Sequence, residues 1–251
     1  MAIDFKKLRN KYFQSLTLIL LSLLFVNCSG GGDSGGGDSP TTTTKYNYSE
    51  TASDHKTTEY NNQYGLASIK AAEGYAALGG YTEGGPIKVA VLDTGIDSDH
   101  SQLDGQIASG GYDYVNSDSD PEDNQVGGIG HGTHVSGIIA AELTGTGMHG
   151  VCPNCDIIPI KVMNDDSPST GKWADISSGI DRARSQGAKV INMSLGGSNP
   201  SLSSLETAIK TATDAGIIIV SAAGNTGKTT TPSYPAAYAS DSDVCANALC
   251  I

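Results

Sequence analysis

The stretch IKVAVLDTGID, residues 87–97, decides the fold of this chain. Residues 87–92 form an apolar run rich in β-branched side chains, with Gly-Pro before it and Asp-Thr-Gly after it. A run of this kind between turn signals is typical of a strand that is buried on both faces. Similar runs predict three further strands, at residues 157–162, 188–193 and 217–222.

Helical patterns alternate with these strands. Apolar side chains recur every three or four positions in three segments, residues 133–143, 173–185 and 202–215. A further helix, predicted at residues 64–77, leads into the domain. Gly187 and Gly216 lie where helix C-termini favour a left-handed residue. The alternation predicts an α/β fold: a parallel sheet with helices on both faces, joined by right-handed crossovers.

Functional side chains of such sheets lie at the carboxyl ends of the strands, because loops and helix N-termini converge there. Asp93 follows the first predicted strand, SLGG follows the third, and the fourth leads into AAGN. The candidate site residues at these ends are Asp93, Ser194, Leu195, Gly196, Gly197, Ala222, Ala223, Gly224 and Asn225.

Two histidines, His131 and His134, lie in GHGTHVSG, residues 130–137. A buried carboxylate such as Asp93 would fix the tautomer of His131, which would then accept a proton from a nucleophile. His134 would then be a packed or supporting residue one helical turn further on. Asp93 also fits a simple turn-forming role, and the two histidines also fit a zinc site. The histidine motif therefore needs partners before it can be interpreted.

The other strand ends offer two such partners. The side-chain amide of Asn225 can donate a hydrogen bond to a developing oxyanion, although an Asn-rich turn explains it too. The SLGG backbone, residues 194–197, is open enough to pair with an extended peptide, although glycine turns explain it equally well.

Together these motifs resemble the subtilisin-like serine protease family. VLDTGID is similar to the family's aspartate motif, GHGTHVSG to its histidine motif and SAAGN to its oxyanion asparagine, in the aspartate-then-histidine order of subtilisin. VINMSLGG, residues 190–197, resembles the substrate-binding strand, and residues 222–225 the facing wall of the first specificity pocket. The resemblance implies hydrolysis of polypeptide substrates through an Asp/His/Ser triad, with no required cofactor.

The serine of that triad is the departure from the family. Its GTSMA-type motif, which opens a later helix, does not occur before Ile251. We therefore expect residues 63–251 to form an incomplete peptidase domain without its C-terminal part, inactive on its own. The alternative is a non-catalytic exported lipoprotein that binds extended peptides.

The N-terminus has the pattern of a targeting segment. Basic residues precede a short apolar run, and Cys28 follows, then a polar glycine-rich tract. The order resembles a bacterial lipoprotein signal, so we expect residues 1–28 to direct export and Cys28 to carry a lipid anchor at the cell envelope. Residues 29–62 are predicted to be a flexible polar linker. The glycine tract and GTGMHGVCPNC, residues 145–155, also resemble subtilisin-like autotransporter passenger domains.

Composition narrows the partners further. With 27 acidic against 15 basic residues the net charge is -12, which disfavours nucleic acid and anionic membrane surfaces. In an exported protein the remaining four cysteines favour structural disulfides, with Cys152 and Cys155 able to close a local loop. A redox motif and a zinc site are the alternatives for these cysteines.

Calcium is a weaker prediction from an acidic loop, residues 113–123. Its carboxylates, with Asp113, Asp118 and Asp120 as the candidates, are the hard oxygen ligands that calcium prefers. A solvated acidic loop is the competing interpretation. The family's usual high-affinity site takes an aspartate nine residues after the catalytic one, where this chain has Gln102.

Overall fold

The computed structural model describes residues 46, 48–79, 86–124, 130–166, 169–198, 200–225, 227, 232–245 and 250–251. The strands are β1 Lys88–Asp93, β2 Tyr112–Asp113, β3 Asp156–Lys161, β4 Val190–Met193 and β5 Ile218–Ser221. The α-helices are α1 Thr58–Asn61, α2 Tyr64–Ser68, α3 Ala71–Ala77, α4 His131–Ala140, α5 Trp173–Ser185 and α6 Ser203–Asp214. Short 3-10 helices occupy Ala52–His55, Asp104–Gln106 and Ala236–Ser240.

The strands form one parallel sheet in the order β2-β3-β1-β4-β5. The strand that the sequence placed first, β1, is central and pairs with both β3 and β4. Asp93 is in register with Lys161 of β3. The carboxyl ends of the strands therefore meet at one edge of the sheet, as the α/β prediction requires.

Helices cover both faces, which confirms the predicted architecture. Ala90 and Leu92 of β1 belong to a core shared with α5 and α6, whereas Val89 and Val91 belong to a second core with Ala140 of α4. Successive side chains of a strand point to opposite faces, so one apolar run supplies both cores. Each fully buried aliphatic side chain of this kind contributes about 1.5–3 kcal/mol.

Most predicted elements lie within two residues of the observed ones. Helix α5 has the predicted bounds, and α4 begins at His131, two residues before the predicted start. Gly187 and Gly216 have φ angles of 82° and 80°, the expected left-handed conformation. Two details were not predicted: strand β2, which has only two residues, and the division of helix 64–77 into α2 and α3 at Lys70, where φ is 57°.

The prediction of a flexible linker at residues 29–62 is wrong for the described part, 46 and 48–62. This part contains a 3-10 helix and α1, and the side chains of Tyr48 and Tyr60 are only 8% and 3% exposed. They pack with Tyr75 of α3 into a separate aromatic core. Tyrosine buries a large apolar ring even in a polar stretch, which explains why composition alone suggested a linker.

Hydrogen bonds tie this N-terminal segment to the rest of the domain. The backbone N–H of Tyr46 donates to Asn154 Oδ1 at 2.7 Å, and Asn154 Nδ2 donates to the Tyr46 carbonyl at 2.8 Å. Asn154 lies inside the loop closed by the Cys152–Cys155 disulfide. The disulfide-closed loop therefore provides the Asn154 side-chain amide that binds the N-terminal segment at Tyr46.

The cysteines are paired as Cys152–Cys155 and Cys245–Cys250, which confirms structural disulfides and excludes a zinc site built from them. Within the described ranges no helix is long and apolar enough to cross a membrane. The signal segment, residues 1–28 with Cys28, lies outside the described residues, as do residues 29–45.

We predict that Asn154→Ala loosens residues 46–62. The substitution removes both partners of the partly buried Tyr46 backbone, and each lost hydrogen bond should cost about 0.5–1.5 kcal/mol. Limited proteolysis with mass-spectrometric mapping should show faster cleavage in this segment. The control is Asn61→Ala, because the Asn61 amide binds the Lys56 carbonyl at an exposed position. Equal cleavage rates for the two variants would contradict the prediction.

Candidate active site

Asp93 is the last residue of β1, and its side chain is completely buried at the carboxyl edge of the sheet. Its Oδ1 accepts hydrogen bonds from the Thr94 backbone N–H at 2.8 Å and from His131 Nδ1 at 2.7 Å. Its Oδ2 is buried and has no hydrogen-bond partner among the described residues. The structure thus brings the predicted aspartate and histidine into direct contact.

Glycines allow helix α4 to approach the turn after β1. A Cβ atom on Gly132 would lie 2.2 Å from the Gly95 carbonyl oxygen, so only glycine fits this position. The backbone N–H of Gly132 donates to Thr94 Oγ1 at 2.9 Å. The glycines of the two motifs therefore let the helix start pack directly on the Asp-Thr-Gly turn, and His131 is the first residue of that helix.

The pKa of His131 is raised above its ordinary value of 6.5, mainly by the hydrogen bond to Asp93. Partial burial opposes this effect, and the negative charges of Asp93 and Asp123 add to it. The His131 side chain is 45% exposed, and its Nε2 has no hydrogen bond to the part of the chain described here. Asp93 therefore fixes Nδ1 as the protonated nitrogen and leaves Nε2 to exchange a proton.

Asp123 is a site residue that sequence reasoning missed. It was counted only within the acidic loop, yet it is 2% exposed and its Oδ2 accepts bonds from Thr133 N at 3.1 Å and Thr133 Oγ1 at 2.8 Å. Thr94 Oγ1 donates to the same oxygen at 3.2 Å. The start of α4 lacks a capping side chain of its own, because Gly130 precedes it. The lack of a capping side chain at Gly130 was the sequence signal that the first N–H groups of α4 need an acceptor from another part of the chain.

Lys161 was also missed, because it lies within a run that reads as an apolar strand. Its side chain is fully buried, and its Nζ is 2.5 Å from both the Thr94 carbonyl oxygen and Asp165 Oδ1. A buried charge is tolerated only when it is paired and hydrogen-bonded. Lys161 therefore fixes the backbone of the residue that follows Asp93.

The predicted substrate-binding residues follow β4 and β5 and are joined to each other. The backbone N–H of Ala222 donates to the Met193 carbonyl at 3.1 Å, and that of Ser233 donates to the Ala223 carbonyl at 3.0 Å. Gly224 has a φ of 100°, and a Cβ there would lie 2.6 Å from Ser233 Oγ. Asn225 follows on the exposed loop, with no side-chain bond to the described residues.

Gly197 differs from the expectation of an open backbone. Its N–H and its carbonyl are both paired with Tyr234, each at 3.0 Å. A Cβ on Gly197 would also lie 3.0 Å from the Trp173 ring. The backbone available to an extended peptide is therefore limited to residues 194–196, of which Leu195 is buried.

The structure does not bring the calcium candidates together as a metal site. Asp113 Oδ1 accepts bonds from the backbone N–H groups of Val115 and Asn116 at 2.6 and 2.9 Å, and its Oδ2 accepts one from Asn116 Nδ2. Asp118 Oδ1 accepts one from the backbone N–H of Asp120. No cluster of three or more His, Cys, Asp or Glu side chains suited to a metal is found where the chain is described. These aspartates instead satisfy donors of their own turn.

The remaining candidates are also accounted for. Gln102, at the position of the family's calcium aspartate, donates from Nε2 to the carbonyl oxygens of Thr146 and Met148 at 3.2 and 2.8 Å. His134 is exposed rather than packed, and it lines an open cavity of about 320 Å³. His131 is engaged with Asp93, so the zinc interpretation of the two histidines gains no support from the geometry.

Comparison with known proteins agrees with this geometry. Residues 84–251 match the Subtilase family. The chain is 41% identical to thermitase of Thermoactinomyces vulgaris over 177 residues, which are 70% of this chain and 59% of thermitase. It is 41% identical to subtilisin E of Bacillus subtilis (strain 168) over 192 residues, 74% of this chain and 47% of subtilisin E. For subtilisin of Bacillus pumilus the identity is 42% over 180 residues, with shares of 70% and 61%.

The chain therefore spans about half to three-fifths of the length of these relatives. The matches favour the peptidase interpretation over that of a non-catalytic peptide-binding lipoprotein.

We predict that the ion pair of His131 makes stability depend on pH. Because its pKa is higher in the folded than in the unfolded state, the pair stabilises the fold fully below the unfolded value of about 6.5. This contribution is lost as the pH rises through the raised folded pKa. In urea unfolding, the parent should exceed His131→Gln in stability at acidic pH, and the difference should shrink at alkaline pH. His134→Gln on the same helix is the control, because the His134 side chain is exposed and has no ion pair within the described residues.

A second prediction concerns Lys161. Lys161→Met leaves the Thr94 carbonyl and Asp165 without their partner, and removing one member of a buried pair costs about 3–5 kcal/mol. Lys210→Met is the matched control, because it breaks an exposed lysine-aspartate pair of the same spacing, with Asp214. Exposed pairs contribute about 0–1 kcal/mol. Chemical denaturation measures both, and equal losses would contradict the importance of burial.

Proposed function

The chain belongs to the subtilase family, and from this premise we propose that it carries part of the active site of a subtilisin-type serine endopeptidase. The observation that carries the proposal is the 2.7 Å contact between His131 Nδ1 and the buried Asp93 carboxylate. A completely buried carboxylate on an exposed imidazole is the arrangement that a general base needs. Its position at the carboxyl edge of a parallel sheet, beside candidate peptide-binding backbone, also supports this function.

In the proposed reaction, Asp93 holds the Nδ1–H of His131 and keeps Nε2 unprotonated and available. His131 Nε2 accepts the proton of the serine hydroxyl as its oxygen attacks the carbonyl carbon of the scissile peptide. The imidazolium then donates that proton to the leaving amine, which departs as an acyl-enzyme forms. Water, activated by His131 in the same way, hydrolyses the acyl-enzyme and regenerates the serine.

Asn225 has the oxyanion role in this proposal. The carbonyl oxygen of the scissile bond becomes negatively charged in the tetrahedral intermediate, and the side-chain amide of Asn225 would donate a hydrogen bond to it. A single donor of this kind contributes about 10²–10³-fold to the rate. Its exposed position after β5, on the loop that Gly224 starts with a positive φ, supports the assignment.

The proposal requires a serine that residues 1–251 do not provide in the family's motif. Ser194 and Ser221 are at the strand ends, but they lie in the motifs proposed to bind substrate. We therefore propose that the nucleophile comes from polypeptide outside this sequence. The share of the relatives that the chain spans, 59% for thermitase and 47% for subtilisin E, is consistent with this.

The substrates proposed are polypeptides in extended conformation. The N–H and carbonyl groups of residues 194–196 would pair with the substrate backbone, and residues 222–224 would form the facing wall. Small side chains on both sides leave the main chain as the principal contact. A site of this kind would recognise the backbone of the substrate rather than one particular side chain.

Export and lipid anchoring at the cell envelope are part of the same proposal. The basic segment, the short apolar run and Cys28 support a lipoprotein signal. The disulfides Cys152–Cys155 and Cys245–Cys250 suit an oxidising compartment outside the cytoplasm. A tethered peptidase in that location would act on proteins of the envelope or its surroundings.

We predict that a fluorophosphonate probe, which reacts with activated serines, leaves residues 1–251 unlabelled. The product of the full reading frame, cloned beyond the Ile251 codon, should be labelled at a serine within a GTSMA-type segment. His131→Gln in that longer product should abolish detectable labelling, because serine and histidine act as a unit. Labelling of the 251-residue chain would overturn the assignment of the nucleophile, and a longer product without labelling would overturn the proposed function.

A further inference from the structure

Asp123 takes part in the buried polar cluster around His131 without touching the histidine itself. Its carboxylate is 2% exposed, and one of its oxygens, Oδ2, accepts three hydrogen bonds, two from Thr133 and one from Thr94. Thr133 belongs to the first turn of α4, and Thr94 belongs to the turn after β1. Asp123 therefore joins the two segments that carry His131 and Asp93.

The other oxygen of Asp123, Oδ1, is buried and has no hydrogen-bond partner in the described part of the chain. No ion pair to Asp123 occurs within the same residues. The buried Lys161 is bound to Asp165 and Thr94 instead. Apart from its hydrogen bonds, the compensation for the Asp123 charge within the described residues is the positive end of the α4 helix dipole. Capping the start of α4 requires only a hydrogen-bond acceptor, so the negative charge of the Asp123 carboxylate goes beyond that role.

The charge of Asp123 acts on His131, the titratable first residue of α4. Two carboxylates lie against the first turn of α4: Asp93, from β1, and Asp123, from the loop before the helix. The charges of both raise the pKa of His131, and the Asp93 hydrogen bond is the largest contribution. Lys161 on β3 is bound to the Thr94 carbonyl and to Asp165.

We propose that Asp123 is a positioning residue of this site, which fixes the first turn of α4 under His131 and stabilises the imidazolium form of that histidine through its charge. The inference rests on the proposed function in one respect: only in that reaction is the imidazolium form of His131 a catalytic intermediate. An oxygen acceptor alone would be enough to cap the helix, and asparagine or serine would supply one. A carboxylate also carries a negative charge, and this charge acts electrostatically on His131.

The experiment is a titration of His131 by NMR in the 251-residue chain, which needs neither the serine nor turnover. Asp123→Asn keeps an oxygen acceptor for Thr133 and removes the charge. We expect the midpoint of the His131 titration to move to lower pH, while the low-field resonance of the Nδ1–H bound to Asp93 persists. Asp93→Asn should lower the midpoint and abolish that resonance as well.

Thr133→Val is the matched control for a purely structural role. It removes the hydroxyl donor to Asp123 but keeps the carboxylate charge, so it should lower stability without moving the His131 midpoint to lower pH. If Asp123→Asn does not fold, Asp123→Ser, which also keeps an oxygen acceptor, replaces it with the same expected shift. An unchanged midpoint in the charge-removing variant would overturn the proposal, as would an equal downward shift in Thr133→Val.

These outcomes are separate from the test of the proposed function. Fluorophosphonate labelling of the longer product reports whether a reactive serine exists. The titration reports only how Asp123 acts on His131, so either experiment can fail while the other succeeds.

Discussion

The contact between the turn after β1 and the first turn of α4 is the constraint on which the site depends. Two hydrogen bonds cross it directly, His131 to Asp93 and Gly132 to Thr94. The Asp123 carboxylate adds a bridge, because it accepts from both Thr133 and Thr94. A side chain at Gly132 would collide with the Gly95 carbonyl. The close approach of the Gly132 and Gly95 backbones is therefore the condition for aligning the His131 imidazole with the Asp93 carboxylate.

Burying two carboxylates and an ammonium near one turn, beside the partly buried Asp165, would be costly if they were not matched. Asp165 pairs with Lys161, Asp93 pairs with His131, and Asp123 binds the start of a helix. Thr94 links all three arrangements, because its N–H, hydroxyl and carbonyl each bind a different one. Such a network is rigid only while every member is present. The Asp-Thr-Gly turn therefore needs support from residues far away in sequence.

The sequence predicted the sheet, its helices and the Asp93–His131 pair because each leaves a local signal. Strand runs, helical periodicity and glycines at turns are all visible within a dozen residues. Lys161 and Asp123 leave no such signal, since one lies within an apolar run and the other within an acidic loop. Their roles depend on partners 67 and 10 residues away, which only the fold brings together. The N-terminal tyrosines were missed for a related reason, because polar neighbours concealed their burial against Tyr75.

The charges around His131 have two opposite consequences for a general base. They stabilise the imidazolium, which lowers the energy of any state in which the histidine has accepted a proton. They also raise the pKa of His131, so more of the resting protein holds that proton already and cannot accept another. The partial burial of the imidazole, which acts in the other direction, limits this second effect. A site with two carboxylates behind one histidine therefore favours proton transfer once it begins, and it places the neutral, competent form of His131 on the alkaline side of its range.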